Sequence, residues 1–160
     1  WNLCVTPAEN GFAAILPVSR GWNGLGDGPV SADYSYVLFG WDTQLASMLA
    51  ALTSREIAFS NLIQAIRSKA ANGQLPNFSA GGAKSQGRSE PPLGAKILLE
   101  VYEKFGKLDK WAIELLFDDL ADYSDWFLRE RVLPPLGLIA LGGGGMQNAR
   151  YESGQVRLQH

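Results

Sequence analysis

Residues 41–66, WDTQLASMLAALTSREIAFSNLIQAI, decide the fold class, because two helical patterns follow one another there. The apolar positions of the two patterns are Leu45, Met48, Leu49 and Leu52, then Phe59, Leu62, Ile63 and Ile66. Both sets have the spacing i, i+3, i+4, i+7, which places side chains on one face of an α-helix. Between them, Thr53-Ser54-Arg55-Glu56 has the form of a capping box. Asn72-Gly73 is a stop signal for the second helix.

Two further helices are predicted over about 93–105 and 109–132. The apolar stripe of the first is Leu98, Val101, Tyr102 and Phe105, and that of the second is Ile113, Leu116, Phe117, Leu120, Phe127 and Leu128. Gly106 ends the first, Asp109 is a candidate N-cap of the second, and Pro134-Pro135 terminates it. Two successive helix pairs predict a mainly α fold, which a bundle, a solenoid or an α/α toroid would satisfy.

The chain divides into three regions by composition. Residues 1–40 read as an irregular N-terminal segment with one or two short strands, because prolines interrupt any helix there. The helical pairs occupy 41–145, and 146–160 form a polar tail. A long polar loop is predicted over 74–92, between the two pairs. Loops of that length inside a domain are usually functional or disordered.

Composition excludes several classes of function. The 160 residues are 46% hydrophobic and 19% charged with net charge −2, which fits one globular domain and argues against a nucleic-acid binder. Cys4 is the one cysteine and His160 the one histidine, so a disulfide within the chain, a cysteine zinc site and a histidine triad are not expected. We expect no metal and no cofactor. No apolar run reaches the ~18 residues of a membrane span.

Five side chains have the chemistry that a hydroxyl-rich ligand needs. The amide of Asn77 donates and accepts, the guanidinium of Arg88 donates through a rigid fork, and ionised Asp42 and Glu90 accept. The indole of Trp41 offers a flat apolar face to the C–H side of a sugar ring. The double proline at 91–92 stiffens the chain after Arg88.

Several of these residues, and Arg20 nearer the N-terminus, also have an ordinary structural interpretation. Asp42 is a favoured N-cap, and Asn77 is a common turn residue. Trp41 suits a core, and Arg20 suits a solvated or structural charge. The 88–92 loop could begin the next helix, with proline at its first position.

Two other patterns are read as structural. The carboxylates along the fourth helix, at Asp118, Asp119, Asp122 and Asp125, could serve acid–base or metal chemistry, but a solvated helix face is the preferred interpretation. The glycines at 24, 26 and 28 and the run 142–145 do not match a phosphate-binding loop, so we interpret them as flexible turns.

Five short motifs occur in one order along the chain. They are Pro17-Val18-Ser19-Arg20, Trp41-Asp42, Leu75-Pro76-Asn77, Arg88-Ser89-Glu90-Pro91-Pro92 and Ala149-Arg150-Tyr151-Glu152-Ser153-Gly154. Together, over about 17–154, they resemble glycoside hydrolase family 63, in its mannosylglycerate-hydrolase-like branch, and more distantly the trehalases. The resemblance implies a partial (α/α)6 toroid, with about four helices in two hairpins and a sugar pocket at one end.

The resemblance also implies roles for individual residues. Arg20, Trp41, Asp42, Asn77 and Arg88 would hold a sugar in the subsite of bond cleavage. Glu90 occupies a position where the family usually has glutamine. An ionised carboxylate there accepts from a hydroxyl but cannot donate.

The catalytic acid of the family has no counterpart in this sequence. In the family, Glu-Ser-Gly is followed by one apolar residue and then the aspartate that acts as general acid, whereas Gly154 is followed here by Gln155 and Val156. The general base comes later in the family's domain. An inverting glycosidase needs both carboxyl groups, about 6.5–9.5 Å apart with water between them. We therefore assign no catalytic residue, and we expect a truncated fragment that does not hydrolyse glycosides alone.

Two alternatives remain open from the sequence. The chain could be a sugar-binding remnant without catalysis, or a helical interaction module such as a piece of solenoid. Helices taken out of a larger ring would leave apolar faces uncovered, so we also expect poor solubility or self-association. The preferred sugar, its linkage and the cellular compartment are not indicated by the residues.

Overall fold

A computed structural model describes residues 3–5, 13–16, 38–80, 83–85 and 89–140. Arg20, Arg88, both glycine-rich runs and the tail after Gly145 lie outside the described residues.

The described part of the chain is mainly α-helical, as predicted. It contains α1 (Gly40–Ala50), α2 (Arg55–Arg67), α3 (Gly94–Lys104) and α4 (Lys110–Glu130). Short connections join α1 to α2 and α3 to α4. Helix α1 packs against α2 and α3, and α4 packs against α2 and α3. The helix positions therefore follow the apolar periods of the sequence to within a few residues.

The start of α2 shows why local sequence can place a helix end. Ser54 is its N-cap, and its hydroxyl accepts a hydrogen bond from the Ile57 amide at 3.1 Å. The same hydroxyl donates to the Glu56 carboxylate at 3.1 Å. The capping box expected from Thr53 is thus displaced by one residue. The helix stops at Arg67, before the predicted Asn72-Gly73 signal, which lies in a following turn.

The start of α4 combines a local and a distant interaction. Asp109 is the N-cap residue, as predicted, but its side chain does not cap the helix. Its carboxylate instead accepts from Arg55 Nε at 2.9 Å and from Trp111 Nε1 at 3.0 Å. This buried aspartate therefore ties the first turn of α2 to the first turn of α4.

Short antiparallel strands flank the helices. Strands β1 (Leu3–Val5) and β2 (Ala13–Ile15) pair with Leu3 opposite Ile15. A three-stranded sheet has the order β3 (Leu38–Phe39), β4 (Phe78–Ala80), β5 (Ala83–Lys84). Strands β6 (Val132–Leu133) and β7 (Leu138–Ile139) form a hairpin after α4. The predicted long polar loop over 74–92 therefore contains two short strands, β4 and β5, that the sequence pattern did not predict.

The hydrophobic core lies around α2. Ala58, Leu62, Ala65 and Ile66 are completely buried, and α3 and α4 contribute Ile97, Leu98, Val101, Ala112 and Leu116. Each large apolar side chain buried in this way stabilises the fold by about 1.5–3 kcal/mol. A second apolar cluster consists of Leu75, Tyr123, Trp126 and Phe127. It joins the second half of α4 to the segment that precedes β4.

Helix α1 exposes its apolar stripe and buries a polar face, which is the reverse of what its sequence pattern suggests. Leu45, Met48, Leu49 and Leu52 are exposed, by 41%, 37%, 49% and 69%. Thr43, Gln44 and Ser47 are buried instead. The buried side chain of Asn61 on α2 explains this choice, because its Nδ2 donates to Ser47 Oγ at 2.8 Å and to the Thr43 carbonyl at 2.5 Å. Its Oδ1 accepts from the Ile15 amide at 2.6 Å, so one amide joins α1, α2 and β2.

Candidate functional site

The candidate site forms around the N-terminus of α1. Phe39 is the N-cap residue and has no side-chain oxygen to accept from the first amides of the helix. Distant residues provide the acceptors instead. The Gly40 amide donates to the Asn77 carbonyl at 2.9 Å, and the Trp41 amide donates to Glu90 Oε2 at 3.0 Å. A carboxylate at this end of a helix is also favoured by the helix dipole.

Glu90 is the centre of this arrangement. Its side chain is buried, at 2% exposure, and Oε1 accepts from Asn77 Nδ2 at 2.6 Å. Both carboxylate oxygens therefore receive hydrogen bonds from protein groups. This geometry makes Glu90 a support for Trp41 and Asn77. Direct contact between Glu90 and a ligand stays a prediction.

Close backbone approach at Gly40 makes the arrangement possible. A Cβ atom there would lie 2.7 Å from the Pro76 carbonyl oxygen and 3.4 Å from Glu90 Oε2. Any residue larger than glycine would force α1 away from the segment that presents Asn77. The narrow gap between Gly40 and the Pro76 carbonyl therefore fixes the position of the N-terminus of α1.

Asp42 is the third residue of α1, so its interpretation as the N-cap is wrong. The side chain is partly exposed. Burial raises the pKa of Asp42, and a hydrogen bond from its own backbone amide lowers it by less. When ionised, this carboxylate can accept hydrogen bonds from a donor group.

Residues in the second half of α4 and just after its end fix the segment around Glu90 by hydrogen bonds. The Tyr123 hydroxyl donates to the Glu90 carbonyl at 2.6 Å, and Arg131 Nε donates to Ser89 Oγ at 3.0 Å. The Arg131 guanidinium lies 4.7 Å from the centre of the Trp126 ring. The sequence patterns predict no role for Tyr123, Ser89 or Arg131. Their roles depend on contacts across 33 and 42 residues, for which local spacing contains no signal.

Three of the predicted sugar-binding residues are joined by hydrogen bonds at this site: Glu90, the side chain of Asn77 and the backbone amide of Trp41. Asp42 follows Trp41 in the first turn of α1. Asn77 does more than make a turn, because its carbonyl and its amide nitrogen bond Gly40 and Glu90. Trp41 is partly exposed and so is not simply a core residue. The alternative in which proline begins α3 is wrong, because that helix starts at Gly94, with Leu93 as its N-cap. The predicted roles of Arg20 and Arg88 fall outside the described residues.

The aspartates of α4 form ion pairs, so a simply solvated face is only partly right. Lys69 Nζ lies 3.1 Å from Asp119 and 2.5 Å from Asp122. Asp122 also pairs with Arg129 at 3.0 Å. Asp118 and Asp125 are exposed, as expected. Within the described ranges, no three histidine, cysteine, aspartate or glutamate side chains are grouped so as to hold a metal ion.

Comparison with known proteins gives a fold relationship alone. No protein-family model matches the chain, and no curated protein matches it. A solved structure, described as an uncharacterized conserved protein from Thermus thermophilus, is similar over 59% of this chain with a TM-score of 0.53 and 20% sequence identity. The similar part spans 26% of the Thermus chain. At that identity the likeness concerns the arrangement of the elements.

Among the described residues, none of the helices combines the length and the apolar character that crossing a bilayer requires.

Proposed function

We propose that this chain carries part of the sugar-binding pocket of an inverting α-glycoside hydrolase of the family 63 type. The convergence of Trp41, Asn77 and Glu90 at the N-terminus of α1 is the observation that supports the proposal. Residues 41, 77 and 90 are distant in sequence, yet two hydrogen bonds of 3.0 Å and 2.6 Å bring them together. The four helices would be a portion of an (α/α)6 toroid.

The chemistry of the group suits a pyranose. The Glu90 carboxylate fixes which atom of the Asn77 amide faces it, and a fixed amide selects hydroxyl groups by direction as well as by distance. The indole of Trp41 can pack against ring C–H groups, while the Asp42 carboxylate accepts from a hydroxyl. Glucosides, mannosides, glucosylglycerate-like compounds and trehalose all fit these requirements.

Hydrolysis would need two further carboxyl groups in this proposal. Glu90 is a poor general acid, because both of its oxygens accept from N–H groups of the protein. Asp42 follows the helix N-terminus and is assigned to binding. We therefore expect the chain by itself to release no sugar from an α-glucoside, an α-mannoside or trehalose. Hydrolytic activity that co-elutes with the purified chain would contradict this expectation.

Sugar binding can be tested by nuclear magnetic resonance on the labelled chain. Titration with glucose, mannose and trehalose should give saturable shifts of the Trp41 indole signal, with a Kd on the order of 1 mM. Asn77→Ala should weaken binding at least tenfold. Trp111→Phe is the matched control, because Trp111 is 46% exposed and lies at the start of α4. The absence of saturable shifts with all three sugars would reject the proposal.

A helical interaction module is the second candidate function. The exposed apolar face of α1 and of the turn after it favours this function, because Leu45 and Leu49 on the helix and Leu52 in the turn are large and exposed. A chain that binds no sugar, but whose association with itself or another protein is lost when this face is made polar, would favour this second function.

A further inference from the structure

Tyr123 connects α4 to the candidate site through a buried hydrogen bond. Its hydroxyl donates to the Glu90 carbonyl at 2.6 Å, and the side chain is 2% exposed. The ring is already held by Trp126 and Phe127, at centroid distances of 6.1 Å and 5.2 Å. The packing of the ring and the hydrogen bond of the hydroxyl are therefore separate functions of this residue.

Other hydrogen bonds hold the side chains of residues 89 and 90. The Glu90 carboxylate binds the Trp41 amide and the Asn77 amide. Ser89, one residue earlier, accepts from Arg131, which lies against Trp126. Residues 89 and 90 are thus fixed relative to α4, and from this position the Glu90 carboxylate reaches α1.

Precise placement matters for Glu90 because its carboxylate must satisfy two donors at once. A shift of the main chain by about 1 Å would lengthen one bond or the other beyond the useful range. Tyr123 is the described contact that constrains the Glu90 carbonyl directly. Loss of its hydroxyl should therefore change the environment of Trp41 and Asn77, which bond the Glu90 carboxylate.

We infer that Tyr123 is a positioning residue of the candidate site, acting on Trp41 and Asn77 through Glu90. It orients the residues proposed to bind sugar and does not bind sugar itself. The consequence for sugar affinity rests on the proposed function; the consequence for the orientation of Trp41 and Asn77 does not.

The test compares Tyr123→Phe with Tyr102→Phe in the labelled full chain. Phenylalanine keeps the ring in the apolar cluster and removes only the hydroxyl. Tyr102 is a partly buried tyrosine of α3, for which the described structure shows no side-chain hydrogen bond, so its variant controls for loss of a hydroxyl. The measurements are the backbone amide signal of Trp41, the side-chain amide signals of Asn77, and the hydrogen-exchange protection of the Trp41 amide.

We expect Tyr123→Phe to shift both sets of signals and to lower the protection of the Trp41 amide by about threefold to tenfold, the range of one net hydrogen bond. Tyr102→Phe should leave them unchanged. Ser89→Ala, which removes the hydroxyl that accepts from Arg131 Nε, should give a smaller shift in the same signals. These results would support the inference even if the wild-type chain bound no sugar, in which case only the proposed function would fail.

Unchanged Trp41 and Asn77 signals in folded Tyr123→Phe would overturn the inference, whatever the sugar titration shows. A general loss of dispersion in all α4 signals, with no larger effect at Trp41 and Asn77 than elsewhere, would also overturn it. That pattern would mean that the hydroxyl stabilises the apolar cluster as a whole. If the wild-type chain binds sugar, Tyr123→Phe should weaken that binding about threefold to tenfold.

Discussion

The backbone nitrogen of Trp41 lies 3.0 Å from Glu90 Oε2, although 49 residues separate them, and this bond closes the N-terminus of α1. Helix α2 is closed locally instead, by Ser54 three residues before the amide that it accepts from. The difference has a physical cause: Phe39 precedes α1 and has no oxygen to offer, so the acceptor must come from elsewhere in the fold. Helix α1 therefore depends on tertiary structure for its beginning.

Glu90→Ala should destabilise the chain by about 2–3 kcal/mol. The change removes the acceptor of the Trp41 amide and leaves the Asn77 amide without the carboxylate that orients it. Urea denaturation followed by circular dichroism measures the effect. Glu114→Ala is the control, because Glu114 is exposed on α4, and it should change stability by less than about 0.5 kcal/mol. Equal effects of the two variants would contradict the assigned role of Glu90.

Gly40→Ala should destabilise the chain by about 1–3 kcal/mol through overpacking. The added carbon would lie 2.7 Å from the Pro76 carbonyl, which is backbone and cannot rotate away. Gly94→Ala is a matched comparison, because its new carbon would meet the end of the Leu120 side chain at 2.6 Å. That side chain can move, so the loss measured by thermal denaturation should be smaller. A larger loss at Gly94 would show that α1 has room to shift.

Asn61→Ala should cost about 2–4 kcal/mol. The buried amide serves the Ile15 amide, the Thr43 carbonyl and Ser47, and alanine leaves those groups without it. Asn72→Ala provides the control, since Asn72 is exposed and its side-chain oxygen accepts from the Gln74 amide two residues away. Chemical denaturation should place the control within about 1 kcal/mol of wild type. A small effect at Asn61 would mean that α1 can pack on α2 without it.

Acid should destabilise the fold through the paired aspartates. The hydrogen bond from Arg55 lowers the pKa of Asp109, and the hydrogen bond from Lys69 lowers that of Asp122. An unfolded aspartate titrates at about pH 3.9. A carboxyl with a lower pKa in the folded state contributes stability that is present above the unfolded value and is lost as the pH falls through the folded value. Urea midpoints measured from about pH 6 down to about pH 3 should therefore fall.

Variants separate these contributions. Asp109→Asn should make the urea midpoint fall less steeply at acid pH, because residue 109 then no longer changes charge. The pKa of Asp42 is shifted in the opposite direction, because burial raises it. The stability that Asp42 contributes is therefore lost as the pH rises from its pKa in the unfolded state to its pKa in the folded state. Asp42→Asn should then be more stable than wild type near neutral pH while losing sugar affinity. An equally steep fall of the urea midpoint in Asp109→Asn would count against the role of the Arg55–Asp109 pair.

Self-association should depend on the outward face of α1. Leu49→Lys introduces a charge beside Leu45 and Leu52 and should move the chain toward monomer in sedimentation velocity experiments at several concentrations. Leu99→Lys is the control, since Leu99 is 51% exposed on a different helix, α3. A wild-type chain that sediments as a monomer and melts cooperatively would contradict this prediction.

Local sequence was sufficient to place the helices. The spacing of Phe59, Leu62 and Ile66 predicts α2, and all three side chains are buried at 2% exposure or less. The same argument predicts where α1 lies but not which face it buries. Its apolar stripe faces outward because Asn61 requires polar partners on α1, and a requirement 14 or 18 residues away is not visible in the period of the helix.

The candidate site shows the same division. The amino-acid types at Trp41, Asp42, Asn77 and Glu90 were enough to suggest a polar, sugar-like ligand, because donors, acceptors and a flat apolar ring can be recognised from composition. Their convergence, the supporting position of Glu90 and the contributions of Tyr123 and Arg131 depend on chain segments that meet only after folding. By itself, the sequence determined the helical class and the available chemistry, because both arise from short-range periodicity and residue type. Tertiary structure decided which face of α1 is buried and what caps it, because hydrogen bonds between distant segments form only when the whole chain has packed.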